Sequence, residues 1–208
     1  MNVLLINGSP HVYGCTYTAL AEVAGQLDKE GIQTNIFHIG TGSIRGCIAC
    51  GKCAGTGRCA FDDDPVNECI DLLNKADGLV VGSPVYYASP NGALCAFLDR
   101  VFYRKSAAYA YKPAAAIVNC RRGGATAAFD VLNKYFSISS MPIVTSQYWN
   151  QTHGTTPDEV RQDLEGLQTM RTLANNMAWL LKCIDKAGDS VPYPVKEPSM
   201  VTNFIRKS

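Results

Sequence analysis

"NVLLINGSPHVYGCTYTAL", residues 2–20, decides the fold. Its first six residues form an almost continuous aliphatic run, the composition of a central parallel strand covered on both faces. A glycine-containing turn follows, and over residues 16–30 Leu20, Val23 and Leu27 keep helical spacing, with Gly31 placed where a helix end wants a residue tolerant of positive φ. The joining loop has neither the G-x-G-x-x-G of a dinucleotide site nor the G-x-x-x-x-G-K-[ST] of a triphosphate site, so both readings lose support. It does carry Ser9, Thr16 and Thr18 around a helix N-terminus, where hydroxyls, free backbone N–H groups and the helix dipole favour an anion. A single phosphate group fits there without a lysine. Any one of these hydroxyls taken alone reads better as a helix cap than as a ligand contact; three together after a buried strand shift the balance toward a ligand.

Outward from this unit, residues 33–39 read as a second strand. Asp64 and Pro65 supply a cap and first position for a helix reaching Ala76, whose inner face is Val66, Ile70 and Leu73. A third strand covers 78–84. Leu94, Leu98 and Val101 mark the next helix, 113–119 is a fourth strand, 126–136 a helix and 141–149 a fifth strand, with Trp149 at its end read as packing. "TPDE", residues 156–159, is a capping box that opens one long helix, with Val160, Leu164, Leu167, Met170, Leu173, Met177 and Leu181 on a single stripe. Five strands separated by helices imply an α/β fold, a parallel sheet with helices on both faces and ligands at the carboxyl ends of its strands. The loops beginning at Gly8, Ser83 and Cys120 are therefore the ones to interrogate. Residues 1–186 form one domain, 40–64 a cysteine-rich insertion, and 187–208 an irregular, proline-rich tail suited to packing on a neighbour or another subunit.

The chain has 208 residues, 47% of them hydrophobic, enough for one substantial core. A net charge of +1 with interspersed signs leaves no basic stripe for nucleic acid and no polybasic membrane patch. No apolar run approaches a membrane span and the start lacks the pattern of an export signal, so the expected location is the cytoplasm. Nine cysteines, an odd count, are in a reducing compartment more often ligands or redox groups than disulfides.

"GSP" followed by "GCTYTAL", then "GSPVYYASPNGALCAFLDR" and "RRGGA", resembles the flavodoxin-like NAD(P)H-dependent FMN reductase family over most of the first 150 residues. The resemblance implies a doubly wound five-stranded parallel sheet of order 2-1-3-4-5. It implies that Ser9, Pro10, Cys15, Thr16, Tyr17 and Thr18 hold FMN phosphate, and that Pro84, Val85, Tyr86, Tyr87, Asn119, Arg121, Gly123 and Gly124 flank the ring system. Two positions depart from the family pattern: Cys15 stands where asparagine is frequent, and His11 where a basic residue is. The proline-rich "SPVYYASPN" suits the assignment, because it fixes backbone direction and offers flat surface with hydroxyl tips; either tyrosine alone reads equally well as packing. Arg121 or Arg122 is placed to stabilise a reduced, anionic flavin or to bind a nicotinamide phosphate, and each reads equally as a solvated side chain. The expected reaction is hydride transfer from NAD(P)H, the substrate, to FMN and onward to an acceptor the sequence does not name. No catalytic acid or base is required, and among His11, His38 and His153, His38 at a strand end reads as structural. A homodimer or homotetramer with flavin near the subunit contacts is implied.

Cys47, Cys50, Cys53 and Cys59 follow C-x2-C-x2-C-x5-C. Three thiols at every third residue can wrap a small inorganic core, whereas a structural zinc more often takes two separate C-x2-C pairs. The spacing also resembles the compact motif of iron-sulfur flavoproteins, a branch of the same family in which a [4Fe-4S] cluster exchanges electrons with FMN. Cluster, free thiols or disulfides, and zinc all stay open, and flavin-only relatives carry similar runs. Arg45, Lys52 and Arg58 are the cations expected to offset a thiolate-bound cluster. A long connection with little hydrophobic pattern is usually functional or disordered, and its position after the second strand puts it near the expected cofactor edge. The single cysteines Cys15, Cys69, Cys95, Cys120 and Cys183 default to buried, inert thiols. Two other functions compete: a carrier of single electrons from a ferredoxin-like donor, and a metal-stabilised binding module without flavin.

Overall fold

In the computed structural model, residues 1–103, 106–198, 200 and 202 are described. The elements in chain order are β1 (Asn2–Asn7), α1 (Cys15–Lys29), β2 (Gln33–His38), the single turn α2 (Cys53–Thr56), α3 (Val66–Lys75), β3 (Gly78–Tyr86), β4 (Ser89–Pro90), α4 (Gly92–Phe102), β5 (Ala114–Cys120), α5 (Ala125–Ile138), β6 (Gln151–His153), α6 (Pro157–Gln162) and α7 (Leu164–Ala187). The parallel strands stand in the order β2-β1-β3-β5-β6. This is the expected 2-1-3-4-5 order with one addition, a two-residue antiparallel β4 that folds back on the end of β3.

Strand periodicity divides the core. Leu4 and Ile6 of β1 point into a cluster with Val66, Ile70 and Leu73 of α3, Leu94, Phe97 and Leu98 of α4, and Leu132 and Phe136 of α5. Val3 and Leu5 point the other way, onto Leu20, Val23 and Leu27 of α1 and Met170, Leu173 and Met177 of α7. The central strands are thus sealed on both faces, and every residue of β5 is buried. Fully burying one such side chain contributes about 1.5–3 kcal/mol, so this two-sided core holds the strand ends, and the loops they carry, in fixed positions.

Two expectations change. The fifth strand, expected over 141–149, forms only one isolated bridge there, Ile143 to Ala114, and then pairs at Gln151–His153 with Val118–Cys120. Side chains compete with the ladder in between: Ser146 Oγ donates to the Tyr148 carbonyl at 2.6 Å, and the buried Asn150 amide donates to the Ala116 carbonyl at 3.1 Å in place of a backbone group. The long helix after residue 156 is two helices. Asp163 breaks it at φ −78°, ψ 78°, and its carboxylate accepts from the N–H groups of Gly166 at 2.9 Å and His153 at 2.6 Å. Leu164, expected on the buried stripe, is consequently 75% exposed, and the stripe begins in earnest at Met170.

In the insertion over 40–64 the only helix is α2. Trp149 is half-exposed, its ring tilted on Tyr148 with centroids 4.8 Å apart. In the tail, a short 3-10 turn spans Gly188–Ser190, and Tyr193 stacks on Tyr111 with centroids 4.7 Å apart. Residues 199, 201 and 203–208 of the expected tail lie outside the described residues. Among the described residues no helix is long and apolar enough to cross a membrane.

Candidate functional site

The β1–α1 loop is wound around the last side chain of its strand. The buried Asn7 accepts from the Ser9 N–H at 3.1 Å through Oδ1 and donates to the Val12 carbonyl at 3.1 Å through Nδ2. From the next strand His38 Nε2 meets the Ser9 carbonyl at 2.7 Å, which gives this histidine a structural role. Ser9 Oγ accepts from the His11 N–H at 3.1 Å, so it does not cap the helix. Thr18 does not cap it either, since its hydroxyl donates back to the Gly14 carbonyl at 3.2 Å. The N-cap of α1 is Gly14, with no side-chain cap bond, and the first intrahelical bond is that of the Thr18 N–H to Gly14. The N–H groups of Cys15, Thr16 and Tyr17 accordingly have no intrahelical partner. Thr16 is 1% exposed, and its Oγ1 is buried without a hydrogen-bond partner among the described residues. Its position is rigid, because α1 lies so close on β3 that a Cβ at Gly82 would stand 2.9 Å from Thr16 Cγ2.

The third strand ends in a tight hairpin, Val85 opposite Pro90 and Tyr86 opposite Ser89. Its two connecting residues, Tyr87 and Ala88, both have positive φ, +50° and +58°, the backbone of a type I′ turn built without glycine. Such residues cost of order 1–3 kcal/mol each, and strain of this kind concentrates at functional sites. Tyr87 projects from the tip, fully exposed, while Tyr86 is 43% exposed. The hairpin is locked to the first loop by Asn91, whose Nδ2 donates to the Gly8 carbonyl at 2.8 Å while its Oδ1 caps α4 by accepting from Ala93 at 2.9 Å. On the other side Gly124 sits at φ +84°, where an added Cβ would lie 2.7 Å from Ala88 Cα. Gly124 therefore admits the hairpin; an added Cβ at Gly123 would meet only open space.

At the end of β5, Asn119 donates to Thr152 Oγ1 at 3.1 Å and to its carbonyl at 3.2 Å, anchoring this strand end on β6. One open cleft of about 200 Å³ collects these pieces, lined by Ser9, His11, Cys15 and Thr16 from the first loop, Pro84, Val85 and Tyr86 from the second, Asn119, Cys120 and Arg121 from the third, and Gly154 and Thr155 from the segment before α6. Pro10, Tyr17, Thr18, Tyr87, Gly123 and Gly124 are not among its lining residues. Burial pushes the Cys15 thiol up, its own backbone N–H working against this and Glu159 with it, so the thiol stays neutral at the helix end. Glu159 is held below the usual carboxylate range by the N–H groups of Thr155 and Thr156 and by Arg121. His11, Cys120, Gly154 and Thr155 were not expected from the sequence to line the cleft.

The four cysteines line a second, small cavity of about 20 Å³, with Ile48, Phe61, Arg100 and Tyr103. Ala49 at φ +52° curls the loop so that its N–H returns to Cys47 Sγ at 3.4 Å. Cys53 Sγ donates to the Tyr103 carbonyl at 3.7 Å, and the Cys59 N–H is held by Asn67 Oδ1 at 2.8 Å. Among the described residues no three or more His, Cys, Asp or Glu side chains gather as ligands of one metal ion. The cation of this cavity is none of the three expected ones. Arg58 pairs with Asp71 and Asp62, and Arg45 lies over the Phe61 ring at 4.3 Å and pairs with Asp63. It is Arg100, 3% exposed, whose Nε donates to Cys59 Sγ at 3.2 Å. Burial works against its charge, but bonds to Asp64 and Cys59 more than offset this and raise its pKa. Arg100 follows the buried Phe97 by three and so lies on the core side of α4, but sequence spacing alone does not distinguish it from a solvated arginine. The cavity shares no lining residue with the cleft, and Arg100 lies eight residues along α4 from Gly92, a rise of roughly 12 Å.

The sequence matches the NADPH-dependent FMN reductase family over residues 1–156. It is 30% identical over 197 residues to an iron-sulfur flavoprotein of Methanocaldococcus jannaschii, covering 89% of this chain and all of that one. It is 29% identical to an iron-sulfur flavoprotein of Methanosarcina thermophila, covering 91% of this chain and all of that one. A solved flavodoxin from the domain Archaea superposes with a TM-score of 0.59 at 13% identity, over 88% of this chain and 99% of the other, a likeness of fold alone. With the parallel order β2-β1-β3-β5-β6 and a cleft at the carboxyl ends of its strands, the chain belongs to the NADPH-dependent FMN reductase family, on its iron-sulfur flavoprotein branch.

Proposed function

We propose that the protein is an FMN-dependent oxidoreductase that takes hydride from NAD(P)H and passes the electrons to a second acceptor. The observation that carries this reading is the pairing of an uncapped α1 N-terminus with the buried, unpartnered Thr16 hydroxyl at one end of the cleft. A dianionic phosphate supplies the acceptor that Thr16 Oγ1 and the N–H groups of Cys15, Thr16 and Tyr17 lack, and the helix dipole favours it there. Bound FMN supplies the capacity to accept hydride and release electrons singly or in pairs. The protein's part is position and field. The strained hairpin presents Pro84, Val85 and Tyr86 along one wall, Asn91 fixes that wall relative to the phosphate loop, and Arg121 brings positive charge to the opposite rim. The neutral Cys15 thiol keeps negative charge away from the phosphate end.

The donor set of the second cavity, four thiols beside a buried guanidinium, fits a [4Fe-4S] cluster held by Cys47, Cys50, Cys53 and Cys59, a group that would take up and release single electrons. This favours a second reading, an electron carrier charged by a ferredoxin-like donor. Anaerobic stopped-flow mixing of the FMN-loaded protein with NADH and with NADPH separates the two. Flavin bleaching within the dead time or the first turnover is expected for the reductase; bleaching only with a reduced ferredoxin assigns the carrier, and failure to retain FMN removes both.

A further inference from the structure

Arg100 is an unusual residue for a helix face. Its guanidinium and the Asp64 carboxylate are 1% and 4% exposed, and the two groups meet in a direct ion pair, Nη2 donating to Asp64 Oδ1 at 3.0 Å. The remaining donors are also used, Nη1 toward the Arg45 carbonyl at 3.2 Å and Nη2 toward the Phe61 carbonyl at 3.3 Å. Asp64 alone would satisfy the charge, and the fork has carbonyls enough to occupy it. Nε is nevertheless directed to a sulfur, Cys59 Sγ at 3.2 Å. Burying an ion pair is costly, and replacing one by apolar side chains is often neutral or stabilising, so stability gives weak reason for this arrangement. A neutral thiol gains little from a guanidinium donor; a thiolate, or a cluster sulfur, gains a charge-assisted bond in a site screened from water.

We propose that Arg100 is a positioning residue of the four-cysteine site, which fixes Cys59 as its anchored ligand and raises the reduction potential of the cluster bound there. The inference rests on the cluster reading above. Uptake of one electron makes the cluster more negative by one charge, and a cation hydrogen-bonded to one of its sulfurs stabilises the reduced state more than the oxidised one. Asp64 holds the guanidinium in place, and the carbonyls of Arg45 and Phe61 set its plane so that Nε, and not a terminal nitrogen, meets the sulfur.

The test uses the full chain, loaded anaerobically with FMN, iron and sulfide, and compares wild type with Arg100→Gln, Arg100→Lys and the double variant Asp64→Asn/Arg100→Gln, which leaves no unpaired buried charge. The readouts are iron per chain, FMN per chain and separate midpoint potentials for cluster and flavin. In the loaded Arg100→Gln or double variant the equilibrium constant for cluster reduction is expected to fall at least about tenfold, about 59 mV to the negative for a one-electron couple, with the flavin potential unmoved. Arg100→Lys, which keeps the charge without the planar Nε donor, is expected to fall in between. Cluster potentials equal to wild type in loaded variants would overturn the proposal and leave the cluster reading intact. Variants that keep FMN and native circular dichroism but take up no iron, the lysine variant included, would replace it by a purely structural role. Wild-type protein that binds FMN but no iron would overturn the cluster reading itself and this inference with it.

Discussion

Thr16 shows how one side chain can carry opposite signs for stability and for binding. Its buried hydroxyl has no partner among the described residues, and a buried, unpaired hydroxyl costs of order 1–3 kcal/mol by mutational measure. Thr16→Val keeps the shape and removes that polar atom. The apo-protein of this variant is expected to melt at or above the wild-type temperature, while FMN binding weakens roughly tenfold or more, the size of a hydrogen bond to a charged group. Differential scanning fluorimetry and titration of flavin fluorescence check the two halves; an unchanged FMN affinity would remove Thr16 from the phosphate site. This residue was legible from the sequence, because a hydroxyl following a buried strand and a turn has few other places to be. Arg100 was not. Alone on a helix an arginine reads as solvated, and its burial is decided by Asp64, thirty-six residues away, and by the carbonyls of a loop with no pattern of its own.

Elements were legible where one periodicity ran unopposed. The aliphatic run of β1, the stripe of α1 and the capping box at Thr156 each have a single physical reading, and they lie within a residue or two of where the pattern puts them. Legibility failed where a side chain could replace a backbone partner: Asn150 and Ser146 interrupt the fifth strand, and Asp163 splits the last helix by capping the second piece and bonding β6 at once. Sequence periodicity cannot weigh such bonds, since their partners come together only in the folded sheet. The hairpin after β3 gives a prediction at this scale. Gly124→Ala places a Cβ into Ala88 and forces alanine into left-handed backbone. It is expected to destabilise the protein by roughly 1–3 kcal/mol and to weaken FMN binding by displacing the wall at Val85 and Tyr86. A melting temperature equal to wild type would show that the hairpin yields freely.

At the scale of the whole molecule, several thiols are wholly or partly withdrawn from water. Burial pushes the Cys15, Cys69, Cys95 and Cys120 thiols up, Cys69 furthest, with Glu68, Asp99 and Asp163 adding to the effect at Cys69, Cys95 and Cys120. A raised pKa in the folded state means stability that is complete below the unfolded thiol value of about 8.5 and is lost as the pH climbs above it, because only the unfolded chain then releases protons. Thermal unfolding under reducing conditions is therefore expected to move to lower temperature between pH 7.5 and pH 9.5; a flat profile would show that these thiols ionise alike in both states. The two-sided core that buries Cys69 and Cys120 also carries α4, and α4 reaches toward both cavities, its Asn91 cap bonded to the Gly8 carbonyl of the first loop and its Arg100 among the cysteines. That makes the helix a fixed ruler between them. A residue gained or lost within α4 turns everything beyond it by about 100° and carries Arg100 off the sulfur in a single step. The length of this helix, more than any one contact, is what keeps the two sites in register.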